Sequence, residues 1–566
     1  MNASSSTPAV GISETKTPRA AVALVRGGLL ARLEWTVVGT LAIFIVLGFG
    51  LRVSRLGAIG FAEDEMNKLD AVRAYRRGDI TANAEHPMIM KALMFASLEA
   101  ASAWHKRGGR PISEETALRL PNVIVGTLTV IPLFLLTAAF FDRWTGLLAA
   151  GFWAFGINAI TMNRVGKEDT LLVFFMLFAF YFYLRAKQTS PRNVAVRRKN
   201  YILSSISFGL MLASKYFPHY FGLNALYHHW FHVRNAGPGE PGGKTPLIFY
   251  LLLPVAFIIA NPALLIPEVW EYLNAYMGER LLVHTGYLFG DRLYKNTMSA
   301  TPFWGTPVYF YLLFMAIKIP LLVVAAFISG LIVSIKRRGH PGHAFLLFMF
   351  LFWIVPYSLV GAKWMRYTLS LMPSVYMLAA VGAVAGIGFL SSFVKGSERD
   401  PQAGSSRGVQ VQAPLMVSAL LVLILLVLPA WTAYANRPHY ALYTNALGAG
   451  RAGYYFPHDE FYDDGLREAI KFVCDNAPRR AAIAHETPAV ARYYLERFAR
   501  LDLASHAMST PEFDPQKLSA PAFMIVQNGR IYFENRDKIS FIRANFKRVY
   551  EVRINEITAA EVFSNQ

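Results

Sequence analysis

From the N-terminus to about residue 433, long apolar runs alternate with short polar stretches; after that the character of the chain changes. Several runs approach or exceed the roughly 20 residues that cross a bilayer as a helix. They predict spans at Trp35–Leu51, Leu118–Phe140, Gly146–Met162, Thr170–Arg185, Tyr201–Tyr216, His219–Val233, Leu247–Leu265, Val308–Ile335, Phe345–Val360, Thr368–Phe393 and Leu415–Trp431. The pattern is that of a polytopic α-helical membrane protein with about 11 spans. Met88–Trp104 is a further apolar piece, interrupted by Lys91, Ser97, Glu99 and Ser102. It either crosses the membrane or lies on its surface as an amphipathic helix.

Charge orients these spans. Arg19, Arg26 and Arg32 precede the first one, which places the N-terminus in the cytoplasm. If Met88–Trp104 stays on the surface, the basic loops Arg185–Arg198, Arg234–Lys244, Lys336–Arg338 and Lys395–Arg399 all fall inside. If it crosses, all of them fall outside, so the surface reading is preferred. The outer face then holds a first loop over 53–117, the groups Asn163-Arg164 and Glu168-Asp169, Lys215, a long loop over 266–305, and Lys363 to Tyr367.

Composition agrees with this class. Charged residues make up 16% of the 566, against about a quarter in soluble domains, and 54% are hydrophobic. The net charge of +19 would suggest nucleic acid in a soluble protein; here it marks cytoplasmic loops and anionic lipid, and no nucleic acid is expected. One cysteine, Cys474, excludes an intrachain disulfide and argues against a cysteine metal site. Residues 1–33 read as a cytoplasmic tail, Ser-, Thr- and Pro-rich at its start, without the early apolar core of a cleaved signal peptide. His219, His228, His229 and His232 lack strong metal spacing with acids, and His228–His232 reads as interfacial. Residues 34–433 form the membrane module. From 434 to 566 charges of both signs become frequent, and helix and strand patterns alternate. Gly465–Ala477, Pro488–Phe498 and Phe541–Phe546 read as helical; Ala481–Ala484, Ala522–Gln527 and Arg548–Ile554 read as strands. They predict a small α/β domain outside the membrane.

The candidate chemistry starts at Glu63-Asp64-Glu65, directly after the first span. Carboxylates at a membrane surface are costly to desolvate, so they face water, a cation or a substrate. Moving a sugar off a lipid phosphate needs a base for the attacking hydroxyl and cations for the leaving phosphate. Asp64 and Glu65 are the candidate acids. His86, Lys91, Arg119, Arg164, Lys215, His284, Arg292 and Arg366 are the candidate cations, and Asp169 lies just beyond Arg164. Plainer alternatives stand beside each. The acids suit a solvated helix N-terminus. Single arginines and lysines at span ends snorkel. Arg164 with Asp169 suits a structural clamp. Lys363-Trp364-Met365-Arg366-Tyr367 suits a phosphate head group or an aromatic belt equally. No Asp-x-Asp pattern marks a metal, so no metal ligand and no cofactor is assigned, and a role for a divalent metal stays open.

Taken together these residues resemble glycosyltransferase family 39, the membrane transferases of the protein O-mannosyltransferase and aminoarabinose transferase type with the GT-C fold. Asp64-Glu65 matches the family's Asp-Glu in the first outer loop. His86-Pro87 with Lys91 resembles its His-Pro-Pro-x-x-Lys element, with Met88 in place of the second proline. Arg119 in Leu-Arg-Leu-Pro-Asn-Val-Ile-Val-Gly, Arg164 with Asp169, and Lys215-Tyr216 follow in the family's order. His284-Thr285-Gly286-Tyr287, Trp304-Gly305-Thr306-Pro307 and Lys318-Ile319-Pro320 are similar to the long loop of bacterial members, and Asn445-Ala446-Leu447-Gly448 and Tyr462–Ile470 to the segment that joins the outer domain. The resemblance runs to about Val473. It implies an inverting transfer of a hexose such as mannose from a polyprenyl-phosphate carrier to a protein or lipid acceptor, in a bacterial inner membrane. It implies Asp64 as base and Glu65 as its support. His86, Lys91, Arg119, Arg164 and Lys215 would hold the carrier phosphate, and His284 would line the donor or acceptor pocket. An aminosugar transferase acting on lipid A is the alternative enzyme. A lipid or solute transporter is the rival from another class, though its charges would sit at mid-membrane in a repeated sequence, and no repeat is found. A non-catalytic scaffold whose outer domain binds a partner is a third reading.

Overall fold

The computed structural model describes residues 19–190, 192–216, 245–278, 284–300, 303–397, 412–519 and 521–566. Six of its helices are long and apolar enough to cross a membrane: Glu34–Val53, Glu114–Phe140, Asp169–Gln188, Pro341–Leu359, Met372–Ser392 and Met416–Ala435. A seventh span forms if Arg143–Phe155 and Ile157–Asn163, bent by 55° at their junction, count as one. The chain is thus a polytopic helical membrane protein with a C-terminal α/β domain, and the expectation of about 11 spans is corrected to six or seven among the described residues.

The reasons are local. Val308–Ile335 is not one span, because Ile319-Pro320 separates Phe310–Lys318 from Leu321–Lys336. Leu247–Ala260 is a helix of 14 residues, short of a bilayer crossing. The Tyr201–Tyr216 pattern belongs to helix Val194–Ser214, which opens with Arg197, Arg198 and Lys199 and fails on composition. The expected span His219–Val233, its histidines, the basic loop Arg234–Lys244 and most of the N-terminal tail lie outside the described residues. Met88–Lys106 is helical but is not among the helices apolar enough to cross.

Two devices hold the bundle. Helices Leu321–Lys336 and Met372–Ser397 meet at Gly330 and Gly382; a Cβ on Gly382 would stand 2.0 Å from the Ala326 carbonyl oxygen, so only glycine permits that approach. At the 55° bend the carbonyls of Trp153 and Ala154 lose their helical partners. The buried Arg52 supplies them, donating from Nη2 to Trp153 O (2.9 Å) and from Nη1 to Ala154 O (2.9 Å), while its Nε binds Asn163 Oδ1 (3.0 Å).

Outside the spans, β1 (Gly286–Phe289) and β2 (Arg292–Lys295) form a hairpin in the long loop. The C-terminal domain carries β3 (Ala482–His485), β4 (Ala504–Ala507), β5 (Ala522–Gln527), β6 (Lys547–Ile554) and β7 (Ile557–Ser564) in the order β4-β3-β5-β7-β6. β4, β3 and β5 are parallel, and β7 and β6 close the sheet antiparallel. One face of β3 and β5 (Ile483, Phe523, Ile525) packs under helices Leu466–Asn476 and Pro488–Arg497, and the other (Ala484, Met524, Val526) against helix Arg536–Asn545. The expected elements are present; β4 and β7, weak in alternation or at the chain end, are additional.

Candidate active site

Asp64 and Glu65 open the helix Glu63–Arg76, whose N-cap Ala62 has no side chain to satisfy the first N–H groups. The C-terminal domain caps it instead: the Glu63 amide donates to Asp463 Oδ2 (2.9 Å), and Phe61 N donates to Tyr494 Oη (2.8 Å). Arg530 clamps Asp463 and donates to Glu63 Oε2 (2.7 Å). Asp463 and the preceding Tyr462 both hold positive φ, 65° and 45°, a conformation unfavourable for side chains of this kind and kept here by these contacts. The domain therefore fixes the direction in which Asp64 points.

Asp64 collects three donors on one oxygen. Oδ2 accepts from Lys167 Nζ (2.8 Å), Arg366 Nη1 (3.0 Å) and Tyr462 Oη (2.6 Å). The side chain is 27% exposed, where Lys167 is 6% and Arg366 21%. Burial pushes the carboxyl up, but Lys167, Arg366 and the hydrogen bonds from Lys167 and Tyr462 outweigh it and hold the group well below the usual carboxylate range. Arg366 also lies over the Trp364 ring, 4.8 Å from its centroid.

Glu65 turns the other way and is fully buried. Arg119 meets it with two hydrogen bonds, Nε to Oε1 (2.7 Å) and Nη2 to Oε2 (2.6 Å), and Gly166 N adds a third (2.8 Å). The remaining Arg119 donors go to the carbonyls of Leu56, Ile59 and Gly60. In this arrangement no Arg119 donor is left for a phosphate.

The other sequence-derived residues divide. Asp169 Oδ1 binds Lys215 Nζ at 2.6 Å, and Lys215 lies 4.9 Å from the centroid of the Tyr367 ring, next to Arg366. Arg164 spends Nη1 on the carbonyls of Arg52 (2.6 Å) and Ser54 (2.7 Å) and Nη2 on that of Arg55, which finishes the first span. Lys91 gives its ammonium to the carbonyls of Ala82, Asn83 and His86, so it shapes the loop that carries His86. His86 faces Glu168, 3.7 Å away, and Glu168 pairs with Lys68 at 2.8 Å. Burial, with Lys68, Lys167 and Lys215 nearby, drives His86 well below its usual range against the pull of Glu168, so it is a poor cation at neutral pH. His284 is stacked on Tyr532, with ring centroids 4.1 Å apart, and faces Glu486 in the C-terminal domain. Arg292, at the start of β2, is exposed and lies over its neighbour Tyr294.

Beside Asp64 opens a cleft of about 840 Å³, counted out to bulk solvent. Lys167, Arg366, Tyr462, Arg164 and Asp169 line it, and Asp459, Glu460 and Asp464 line it too, from the segment that leads into the C-terminal domain. Glu460 pairs with Lys318 at 2.6 Å and Asp464 with His439. Asp459 accepts from Tyr287 Oη (2.5 Å), has no cation in salt-bridge range among the described residues, and is pushed up to about 6 by burial. Among the described residues no group of three or more His, Cys, Asp or Glu is placed to hold a metal ion. The sequence singled out Asp64 and Arg366 but passed over Lys167 and Tyr462. Each stands in a run of polar neighbours, Gly-Lys-Glu-Asp and Phe-Tyr-Asp-Asp, and only the partner's position, roughly 100 or 400 residues away, distinguishes it.

Residues 102–266 match the family described as dolichyl-phosphate-mannose-protein mannosyltransferase, a match to less than half of the chain. No curated protein sequence matches. Among solved structures, the chain is similar to ArnT from Cupriavidus metallidurans bound to undecaprenyl phosphate, at 14% identity and TM-score 0.48 over 94% of this chain and 98% of that one. It is also similar to the Archaeoglobus fulgidus oligosaccharyltransferase tethered to an acceptor peptide, at 11% identity and TM-score 0.49 over 94% and 74%. The protein O-mannosyltransferase Pmt1-Pmt2 complex of S. cerevisiae, bound to the sugar donor, follows at 17% identity and TM-score 0.32 over 44% and 34%.

Proposed function

We propose that this chain is a GT-C-type membrane glycosyltransferase. It moves a sugar, a hexose such as mannose, with inversion from a polyprenyl-phosphate carrier to a hydroxyl on a protein or lipid acceptor at the outer face of the membrane. The observation that carries the reading is Asp64, an ionised and partly open carboxylate held between Lys167 and Arg366, both of which line the cleft. The family match over 102–266 supports it, since that segment contains Arg119, Arg164, Lys167, Asp169 and Lys215.

The chemistry follows from these groups. The acceptor hydroxyl approaches the anomeric carbon from the side opposite the phosphate. As the new C–O bond forms, the hydroxyl proton passes to Asp64. The bond from the anomeric carbon to the phosphate oxygen breaks, and polyprenyl phosphate leaves with the electron pair. Lys167 and Arg366 take up the charge that builds on the leaving oxygen. The hydroxyl becomes acidic only once the C–O bond is well advanced, so its proton passes late in the step. Glu65 and Arg119 hold the helix that aims Asp64, Lys91 shapes the His86 loop, and Lys215 holds Asp169 in the wall of the cleft.

A second reading has its own observation. Asp459, with no cation in salt-bridge range among the described residues, and Asp464 line the same cleft as Lys167 and Arg366, acidic groups that favour an amino-bearing sugar such as that of an aminosugar transferase. One experiment separates these. Membranes containing wild type or Asp64→Asn are given a panel of radiolabelled polyprenyl-phosphate sugars, neutral and amino-bearing. The expected result is label on protein or lipid with wild type from one donor class, and a loss of about 10²–10⁴-fold with Asp64→Asn. Undiminished transfer by Asp64→Asn removes Asp64 as the base.

A further inference from the structure

The cations at the cleft are not equally available. Arg119 has all five donors engaged by Glu65 and three carbonyls, and Arg164 spends three hydrogen bonds on the end of the first span. Lys167 and Arg366 differ: each reaches into the cleft, and for each the salt bridge found is to Asp64, through the same oxygen. Two full positive charges thus share one carboxylate oxygen, with Glu168 and Asp459 within electrostatic reach of Lys167 and Arg366 but outside salt-bridge distance of them. Tyr462 contributes a neutral donor to the same oxygen. Asn122 Nδ2 donates to the Lys167 backbone carbonyl at 2.5 Å and holds the root of the side chain.

We infer that Asp64 is a stand-in for the donor phosphate: when the carrier binds, its phosphate takes Lys167 and Arg366 from Asp64, and the carboxylate stays aimed by Tyr462 and the helix that bears it. This rests on the glycosyltransferase reading and adds an order of events to it. Without donor the two cations quench the base. With donor the same movement binds the leaving group and releases the base, so Asp64 gains proton affinity as the sugar arrives. Lys167 and Tyr462 become positioning residues of the reaction, one for the phosphate and one for the carboxylate. The bound donor is a phosphodiester with one negative charge and gains a second as the sugar departs, so Lys167 and Arg366 hold the leaving phosphate more strongly than they hold Asp64.

The exchange has a signature that a merely structural role lacks. The purified full-length protein in detergent is titrated with a polyprenyl monophosphate that bears no sugar, and with the corresponding polyprenol as a control. Because Asp64 competes with the phosphate, Asp64→Asn tightens phosphate binding by about tenfold or more, equivalent to about 1.4 kcal/mol, and leaves polyprenol binding unchanged. Lys167→Met and Arg366→Met loosen it by a similar factor, and in the Lys167→Met background Asp64→Asn tightens it less. Should Asp64→Asn not fold, the Lys167→Met result carries the test: loosening confined to the phosphate ligand supports the exchange, and unchanged binding overturns it. Phosphate binding that is equal or weaker in folded Asp64→Asn overturns the exchange, while transfer by wild type would leave the glycosyltransferase reading standing. No binding of the monophosphate to any form overturns both.

Discussion

Asp64 and Glu65 are consecutive residues in one helical turn, and their surroundings are opposites. Glu65 sits in a buried clamp in the wall of the cleft, where one carboxylate meets one guanidinium and every donor of Arg119 is used. Asp64 is 27% exposed, shares one oxygen among three donors, and faces two cations where one would neutralise it. A buried pair with matched charge and full hydrogen bonding has nothing left to offer a ligand; it fixes shape. A partly open group with unequal charge around it is a place where a substrate ion can enter. The difference separates framework from chemistry within one turn of helix.

The contrast can be broken at its framework side first. Glu65→Gln or Arg119→Met leaves a buried charge or a set of carbonyls unanswered and should cost about 3–5 kcal/mol of stability. Thermal unfolding of the detergent-solubilised protein reads this, and the double variant should recover part of the loss. The turnover of the molecules that remain folded should fall far less than in Asp64→Asn. A stable Glu65→Gln protein with no turnover would move Glu65 to the chemical side of the comparison.

Lys91 is a smaller case of the same kind. It was a candidate phosphate ligand by position, yet its three donors all end on the carbonyls of Ala82, Asn83 and His86. Lys91→Met should cost about 1–3 kcal/mol through those orphaned carbonyls, and the affinity for polyprenyl monophosphate should change little in the folded fraction. A large, selective loss of phosphate binding would return Lys91 to the site.

The smallest effect lies where the long loop meets the C-terminal domain: burial pushes Glu486 of the domain up to about 7 and lowers His284 of the loop to about 4. The signs are opposite. Unfolded, Glu486 ionises near 4.5, so the folded state loses stability on its account as pH rises from 4.5 through 7. His284 costs stability as pH falls from 6.5 toward 4. Glu486→Gln should therefore raise the melting temperature by about 2–4 °C at pH 8 and have little effect at pH 4.5. A gain that is equal at both would show that ionisation is not its cause.

Much of this arrangement was legible in the sequence, and the limits have physical causes. A run of three acids after an apolar segment marks the Asp64 loop, because such charges resist burial. The helices and strands of residues 466–554 follow from their periodicity. Charge type was legible too, whereas charge partners were not: Arg119, Arg164 and Lys91 read as phosphate ligands, but in the structure they donate to nearby carbonyls or to Glu65. Hydropathy also hides interruptions. It joins the helices on either side of Pro320 into one span, and it promotes Tyr201–Tyr216 without weighing the basic turn that opens its helix. Lys167 and Tyr462 reach Asp64 from positions roughly 100 and 400 residues away, a proximity set by the packed bundle and the C-terminal domain.

The most direct test of the central claim is single-turnover transfer by purified Asp64→Asn, with donor occupancy established beforehand by binding. The account predicts that donor binds at least as tightly as to wild type, while the rate of the chemical step falls by about 10²–10⁴-fold. A chemical step within a fewfold of wild type, with donor bound, would contradict the account and leave Asp64 as part of the frame.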